Sequence, residues 1–478
     1  MSLRQGLPRA WAGIVAVFLG ACGGGSSPSP RPSGASGSGL NVLLITIDTL
    51  RADHLGIYGY RRNTSPRIDA LAREGTVFTH AFTYWPKTRG SFVMMLTGRR
   101  PSQNGYSRQH PVVLGFNPTI ADSLKRAGYT TAAIVDNPNV AAVNGYSKGF
   151  DSYRETWEEE DLVSEMDRAR AITEGAVRFL RAATGNHPFL LWLHYVNPHA
   201  PYTPPAPYDT AFLDAAANEG PRLKPVRRFH GGIPEHLAVA GKDRLGYYVA
   251  QYDGEIAAVD DEVGQVLAGL KASKVGNRTV VILTSDHGES LGDHDYYFDH
   301  GEDLFDPCLA IPLIIAVPGS GAGQRSDLLA STLDVFPTIL DAAEVSYPAD
   351  LAGASLLPAV RGAGGPRRER LYAQNEQELS ATFGARLKLV ATPGRPSGAW
   401  YALYDRVVDP GETTDLAAAR PEEQRLERRE LSLYLERAER EWSRTRTLLG
   451  GAPVGEGKMT AEACEKLKAL GYVQECNP

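Results

Sequence analysis

Short apolar runs in this chain end in side chains that can bind a divalent cation. Asp48 follows a first run, Asp286 and His287 follow a second, and His199 lies just beyond a third. Carboxylate oxygens and imidazole nitrogens are ligands suited to such ions. Any one of these residues alone would be an ordinary turn or capping residue. Their recurrence at the ends of separate runs predicts a metal site.

The elements that carry these residues alternate between strand and helix. The runs rich in β-branched residues are typical of strands buried on both faces of a parallel sheet; they cover 41–47, 131–135, 189–193, 279–283 and 312–316. Amphipathic helical stretches lie between them, at 66–74, 161–182 and 247–271. This alternation predicts a doubly wound α/β sheet, in which sites form beyond the carboxyl ends of the strands.

Composition limits the class of protein. The 478 residues carry a net charge of −6, which argues against a dedicated nucleic-acid binder. Mean hydropathy is −0.27, which excludes a protein with many membrane spans. The four cysteines are too few for a disulfide framework.

The N-terminus carries an export pattern. Residues 1–21 combine two arginines with a short apolar run and are expected to be a signal peptide. The run ends at Cys22 in a sequence that resembles a bacterial lipobox, and 22–40 is a tether rich in Gly, Ser and Pro. We therefore expect lipidation of Cys22 and attachment to the membrane of the cell envelope, on its periplasmic or outer face. The alternative is an ordinary signal peptide that leaves Cys22 as a free thiol.

Ordered motifs in the chain resemble the sulfatase family of the alkaline phosphatase superfamily. They lie at 48–60, 65–69, 75–78, 284–294, 300–301, 311–313, 334–341, 353–358, 403–412 and 467–472. The resemblance implies an alkaline-phosphatase-like three-layer α/β/α sandwich with a mostly parallel sheet and a smaller C-terminal α+β subdomain. The expected catalytic domain is 41–345, followed by the C-terminal subdomain at 346–420 and a helical tail at 421–478.

One motif departs from the family pattern. Sulfatases carry a Cys or Ser, converted to formylglycine, about ten residues before a Leu-Thr-Gly; here Leu-Thr-Gly is present and the corresponding residue is Thr88. A threonine there resembles the phospho branches of the superfamily, in which an unmodified threonine is the nucleophile. The resemblance therefore implies a metal-dependent hydrolase or transferase acting on a sulfate, phosphate or phosphonate ester. The alternative is an inactive, membrane-anchored homologue that binds an anionic glycan or lipid.

The metal ligands implied by the motifs are Asp48, Thr88, Asp286 and His287. Thr49 replaces a second carboxylate of the sulfatase pattern, which weakens a calcium cage. The remaining mixed oxygen and nitrogen set suits Zn or Mn at least as well as Ca. We expect one bound ion, and the sequence does not decide whether a second ion binds.

Further residues are expected to contact the substrate, an anionic ester of a glycan, a lipid or a small molecule. His199 and His300 resemble family histidines that contact the transferred group or protonate the leaving oxygen, with a capping role as the alternative. Lys388 resembles a lysine that reaches the site from the C-terminal subdomain, with an exposed strand lysine as the alternative. Lys87 and Arg89 flank Thr88 and could hold anionic oxygens.

Residues 204–245 fall outside these motifs. They are expected to form an insertion over the active-site face, where substrates are commonly selected. We expect no nucleic-acid partner.

Overall fold

The computed structural model describes residues 39–377, 379–395 and 398–450. Cys22 and the expected tether up to residue 38 lie outside the described residues. The strands are β1 (Asn41–Ile47), β2 (Thr76–Phe82), β3 (Thr130–Val135), β4 (Ser152–Glu155), β5 (Phe189–Tyr195), β6 (Pro225–Val226), β7 (Ile233–Pro234), β8 (Thr279–Ser285), β9 (Ser290–Leu291), β10 (Tyr297–Asp299), β11 (Leu313–Ala316), β12 (Gln324–Ser331), β13 (Leu371–Gln374), β14 (Ser380–Phe383), β15 (Leu387–Arg395) and β16 (Gly398–Asp405). The α-helices are α1 (Pro66–Glu74), α2 (Thr88–Thr97), α3 (Pro101–Asn104), α4 (Ile120–Arg126), α5 (Glu165–Ala182), α6 (Tyr208–Ala211), α7 (Leu245–Ala272), α8 (Asp306–Leu309), α9 (Val335–Ala342), α10 (Leu357–Val360) and α11 (Pro421–Leu449).

An eight-stranded sheet forms the centre, in the order β12-β2-β11-β8-β1-β5-β3-β4. The strand β1 runs parallel to both of its neighbours, β5 and β8. Apolar side chains on one face pack against α1, α5 and α7, and those on the other face pack against α2, α4 and α9. The predicted α/β class with a mostly parallel sheet is therefore confirmed.

The predicted helices match the structure except at some of their ends. Helix α1 spans the predicted residues, with Pro66 in its first turn. Helix α5 begins at Glu165, later than predicted, because Ser164 and Asp167 form a capping box there. The run at 312–316 is a strand, but β11 is antiparallel to both β8 and β2. A buried apolar run looks the same in either direction, so periodicity could not reveal this.

A four-stranded antiparallel sheet, β13-β14-β15-β16, forms the smaller C-terminal subdomain. It shares a small apolar core with Phe82, Leu304 and Leu309 of the larger part. The charged helix α11 lies over the junction and buries Leu431, Tyr434 and Ala438. Within the described residues, no helix has the length and apolar character needed to cross a membrane.

Candidate active site

The ends of β1 and β8 bring a carboxylate-imidazole cluster together. The parallel register places Ile47 beside Ser285, so Asp48 lies next to Asp286 and His287. One ligand atom from each of these three residues lies within 4.8 Å of the others, and all three are buried. His287 Nε2 lies 3.7 Å from Asp48 Oδ1 and 3.2 Å from Asp286 Oδ2.

The chemistry of this cluster fits a divalent cation. In the described part of the chain, no hydrogen bond reaches Asp48 Oδ1 or Asp286 Oδ2. His287 Nδ1 lies 2.9 Å from the carbonyl oxygen of Gly288, so the ring donates there and keeps its Nε2 lone pair for a ligand. Buried oxygens that lack donors are costly unless a cation balances them. The cluster is therefore a candidate metal centre.

Burial and charge set the protonation of the two carboxyls. Burial and the negative charge of Asp48 raise the pKa of Asp286 to about 6. Burial also raises the pKa of Asp48, but the nearby imidazoles of His194, His199 and His287 outweigh it and hold that pKa below the usual value. Two carboxyls this close repel each other when both are ionised, and a bound cation would relieve that repulsion.

A glycine is required directly after His287. A Cβ on Gly288 would lie 2.0 Å from the carbonyl oxygen of Pro307. The Gly288 amide also donates to the carbonyl of Cys308, at 2.9 Å. The loop after β8 is thereby held against α8, and this fixes the orientation of the imidazole.

Thr88 opens helix α2 at the edge of the cluster. Its hydroxyl oxygen lies 3.2 Å from His287 Nε2, and the residue is buried. Helix α2 has no side-chain cap, so amide groups of its first turn are available to an anion. One turn further, the Ser91 hydroxyl donates to the Asp286 carbonyl at 2.8 Å and thereby holds the helix against the loop that carries Asp286 and His287.

Lys87 and Arg89 flank Thr88 and both stay partly exposed. The Lys87 ammonium lies 4.0 Å from the Glu376 carboxylate. The Arg89 Nε donates to Asn139 Oδ1 at 3.1 Å. Two partly exposed cations are therefore the sequence neighbours of Thr88 at the start of α2.

His199 and His300 lie beside the cluster. The ring centroids of His287 and His300 are 4.1 Å apart, and those of His300 and His199 are 5.3 Å apart. His199 Nδ1 donates to the Ala200 carbonyl at 2.6 Å, and His300 Nδ1 lies 3.1 Å from Glu289 Oε1. Burial lowers the pKa of His199, and it lowers that of His300 well below the usual value. Both rings are therefore neutral at pH 7 in the protein alone.

Lys388 lies in a buried ion-pair cluster of the C-terminal subdomain. Its ammonium lies 2.9 Å from Asp306 Oδ1 and 2.8 Å from Glu412 Oε1, and the side chain has no solvent exposure. The alternative of an exposed strand lysine is therefore wrong. These carboxylates give Lys388 a structural role, and its contact with substrate stays a prediction.

Sequence reasoning missed two neighbours of Asp48. The Asn137 amide donates to Asp48 Oδ2, and His194 Nε2 lies 3.7 Å from the same oxygen. Asn137 comes shortly after β3, so the rule that found the other run ends could have found it. His194 lies inside an apolar run, where any residue is interpreted as part of a buried strand. No signal in the sequence distinguishes it as a site residue.

Known proteins match this chain over most of its length. Residues 40–345 match the family model for Sulfatase, and residues 292–440 match that for N-sulphoglucosamine sulphohydrolase, C-terminal. The chain is 24% identical to an arylsulfatase of Clostridium perfringens, over 87% of this chain and 98% of that protein. It is 29% identical to the multifunctional alkaline phosphatase superfamily protein PehA of Trinickia caryophylli, over 66% of this chain and 76% of that protein.

A solved structure agrees with the sequence relatives on the fold. The phosphonate monoester hydrolase of Agrobacterium radiobacter superposes with a TM-score of 0.69 at 21% identity, over 84% of this chain and 96% of that one. The sulfatase match alone spans more than half of the 478 residues. The chain belongs to the sulfatase family of the alkaline phosphatase superfamily, and it is an ester hydrolase.

Proposed function

We propose that this protein hydrolyses a phosphate or phosphonate monoester with Thr88 as the nucleophile. The observation that carries the proposal is the position of the Thr88 hydroxyl, 3.2 Å from His287 Nε2 in the carboxylate-imidazole cluster. An unmodified threonine stands where sulfatases carry formylglycine, which favours the phospho branch over sulfate esters.

Asp48, Asp286 and His287 would hold one divalent cation, with Thr88 as a further ligand. Zn or Mn suits this oxygen and nitrogen set at least as well as Ca. When bound, the ion would lower the pKa of a coordinated hydroxyl and offset the negative charge of the substrate.

The residues around Thr88 bind and orient the anion. Lys87 provides a point charge and Arg89 a planar fork, and amides of the uncapped α2 N-terminus add hydrogen bonds. A phosphate monoester carries more negative charge than a sulfate or a phosphonate monoester, so this set of cations favours phosphate most.

The reaction proceeds by two displacements. Thr88 Oγ1 forms a bond to phosphorus while the bond from phosphorus to the leaving oxygen breaks, and the alcohol departs. His199 or His300, neutral before the reaction, takes up the proton released by Thr88 and returns it to the leaving oxygen. Water then attacks the phosphothreonine, which releases phosphate or phosphonate and restores the hydroxyl.

The test compares two hydroxyls of the same helix. We expect Thr88→Ala to lose at least about 10³-fold in kcat on aryl phosphate and phosphonate esters, because the nucleophile is gone. Thr97→Ala, whose hydroxyl donates to the Val93 carbonyl within the helix, is the matched control and should keep most activity. Intact-mass measurement of quenched turnover should show a phosphoryl group on the parent and none on Thr88→Ala. Full activity of Thr88→Ala contradicts the proposal, and turnover restricted to aryl sulfates contradicts the choice of the phospho branch.

We further propose that Cys22 is lipidated and anchors the exported protein to the cell envelope. The support is the order of segments in the sequence: a short apolar run, the cysteine, then a tether. Labelling cells with a palmitate analogue tests this. The parent should be labelled and sediment with membranes, and Cys22→Ser should do neither; label on Cys22→Ser would contradict the assignment.

A further inference from the structure

One edge of the central sheet is rich in cations, although the whole chain has a net charge of −6. Strands β1, β3, β5 and β8 are parallel and begin at this edge, and β2 also begins there because β11 is antiparallel to both β2 and β8. Helices α1, α4, α5 and α7 end at the same edge, since each one leads into one of these strands. We call the exposed Lys and Arg side chains of these helix ends, and of the connection from α7 to β8, the basic edge: Arg73, Lys125, Arg126, Arg181, Lys271, Lys274 and Arg278.

Helix dipoles explain only part of the basic edge. A cation in the last turn of a helix is stabilised by the partial negative charge there, and this accounts for Arg73, Lys125, Arg126, Arg181 and Lys271. Lys274 and Arg278 lie beyond the last turn of α7, and no described residue forms an ion pair with either of them. Exposed acidic residues at this edge are fewer, namely Glu74, Asp151 and Glu344. Charge is therefore left over for a partner.

The chain enters the fold at the basic edge. The Leu40 amide donates to the Ala342 carbonyl at 3.1 Å, and the Tyr129 hydroxyl donates to the Leu40 carbonyl at the same distance. Strand β1 follows directly, with Asn41 beside Thr279 at the start of β8. Cys22 precedes Gly39 by 17 residues. Even a fully extended chain of that length spans at most about 60 Å, so a membrane that holds Cys22 stays within reach of this edge.

The candidate active site lies at the opposite edge of the sheet. Strand β1 runs from Asn41 to Ile47, and Asp48 follows its far end. At about 3.3 Å per residue, the seven residues of β1 separate the two edges by about 23 Å. Thr88 belongs to the far side, because its hydroxyl lies 3.2 Å from His287 Nε2, beyond the end of β8.

An apolar cleft of about 680 Å³ lies between α1 and α7 and extends to the basic edge. Leu71, Leu270, Val281 and Val317 are among its lining residues, together with Lys271 of the basic edge. A cleft of this kind beside cations suits an amphiphile, whose headgroup and acyl chain meet charge and apolar surface in turn. A nucleic acid has phosphates for the cations but no apolar chain for the cleft. The surroundings therefore favour a lipid surface over a nucleic acid.

We infer that the basic edge binds the anionic headgroups of phospholipids in the membrane that carries the protein. The inference goes beyond the proposed function, and it rests on the proposed lipidation of Cys22 only for which membrane this is. Clusters of Lys and Arg are attracted to anionic bilayers within about a Debye length of the surface. In this orientation Thr88 faces away from the bilayer, so the monoester reaches the active site from the aqueous side.

The experiment measures binding of the full chain, with Cys22→Ser to prevent acylation, to two kinds of vesicle. One kind is phosphatidylcholine alone, and the other is an equal mixture of phosphatidylcholine and phosphatidylglycerol. We expect the parent to bind the anionic vesicles at least about 10-fold more tightly at about 0.1 M NaCl, and Lys274→Glu/Arg278→Glu to lose most of this preference. The control Arg429→Glu/Arg437→Glu makes the same change of charge at exposed positions of α11 and should keep it. Neutral vesicles give the contribution of the rest of the chain.

Three results would overturn the inference. The first is equal binding of the parent to both kinds of vesicle, or an equal loss of the preference in the control pair. The second is displacement of the parent from anionic vesicles by single-stranded DNA at an equal concentration of phosphate groups. The third is release of phosphate from phosphatidic acid, a lipid monoester, in the bilayer to which the parent is bound, because Thr88 would then face that bilayer. Binding is measured without turnover and without an acyl chain, so failure of the Thr88 nucleophile or of lipidation would leave it unchanged.

Discussion

Asn137 and Asn139 lie in one short turn after β3 and contact different residues of the candidate site. The Asn137 amide donates to Asp48 Oδ2, which leaves Oδ1 facing His287. The Asn139 side-chain oxygen accepts from Arg89, which follows Thr88, the proposed nucleophile. One asparagine therefore orients a candidate metal ligand, and the other orients a candidate substrate ligand.

This division gives a prediction at the residue scale. We expect Asn137→Ala to raise the metal concentration needed for half-maximal activity by about 10- to 100-fold, because outer partners orient and tune metal ligands. Asn139→Ala is the control and should instead raise KM, with an unchanged metal requirement. Metal titrations of activity, and of thermal stability in the same samples, check both. An unchanged metal requirement in Asn137→Ala would contradict the role given to this amide.

The candidate metal ligands could be predicted because each follows an apolar run in the chain. Asp48, Asp286 and His287 meet this condition, and the parallel sheet then brings them together. His194 does not meet it, since its imidazole lies within β5 and reaches Asp48 from inside the strand. Such a contact depends on side-chain packing across the sheet, which one-dimensional spacing does not contain.

At the scale of elements, the ion-pair cluster around Lys388 joins β15 to α8. Asp306 accepts from both Lys388 and Arg406, and Glu412, in the loop after β16, faces Lys388. Burial and the charge of Asp306 raise the pKa of Glu412 to about 7. Two cations and two carboxyls thus share a buried place between the sheets, and removal of one unbalances the rest.

We expect Lys388→Met to lower the free energy of unfolding by about 3 kcal/mol, because buried carboxylates lose their partner. Arg425→Ala, which breaks an exposed ion pair with Glu422, should cost far less. Adding Glu412→Gln to Lys388→Met should recover part of the loss. Urea unfolding followed by circular dichroism measures all three. A Lys388→Met protein of normal stability that has lost activity would instead support the substrate contact predicted from the sequence.

The order of the elements along the chain could be predicted more completely than the pairing of the strands in the sheet. Strands β1, β3, β5, β8 and β11 and the long helices all correspond to runs in the sequence. The direction of β11 and the edge position of β12 depend on which neighbours are left to pair, and these are properties of the finished sheet. The strand β2 mixes Thr79 and His80 with apolar residues, so it lacks the continuous apolar character of the others.

At the scale of the whole molecule, a bound ion would join β1 to β8 across the middle of the sheet. We expect chelation to lower Tm by a few degrees and added Zn, Mn or Ca to restore it, because a ligand that binds only the folded state stabilises it by mass action. Asp286→Asn removes a ligand and also one of two repelling charges, so its Tm should respond little to either treatment. Differential scanning calorimetry measures these shifts. An identical response in the parent and Asp286→Asn would place the ion elsewhere.

Because β1 lies in the middle of the sheet, between β5 and β8, the candidate site can form only late in the synthesis of the chain. This strand is made first, yet one of its partners is β8, and Ile47 accepts a hydrogen bond from Ser285, 238 residues later. Pairing over such separations is slow because a long loop must close first. A nascent chain that stops before residue 279 leaves one edge of β1 open, and Asp48 lacks Asp286 and His287. The open strand edge of such a fragment is prone to aggregation, and the candidate metal site can form only after His287 has been made.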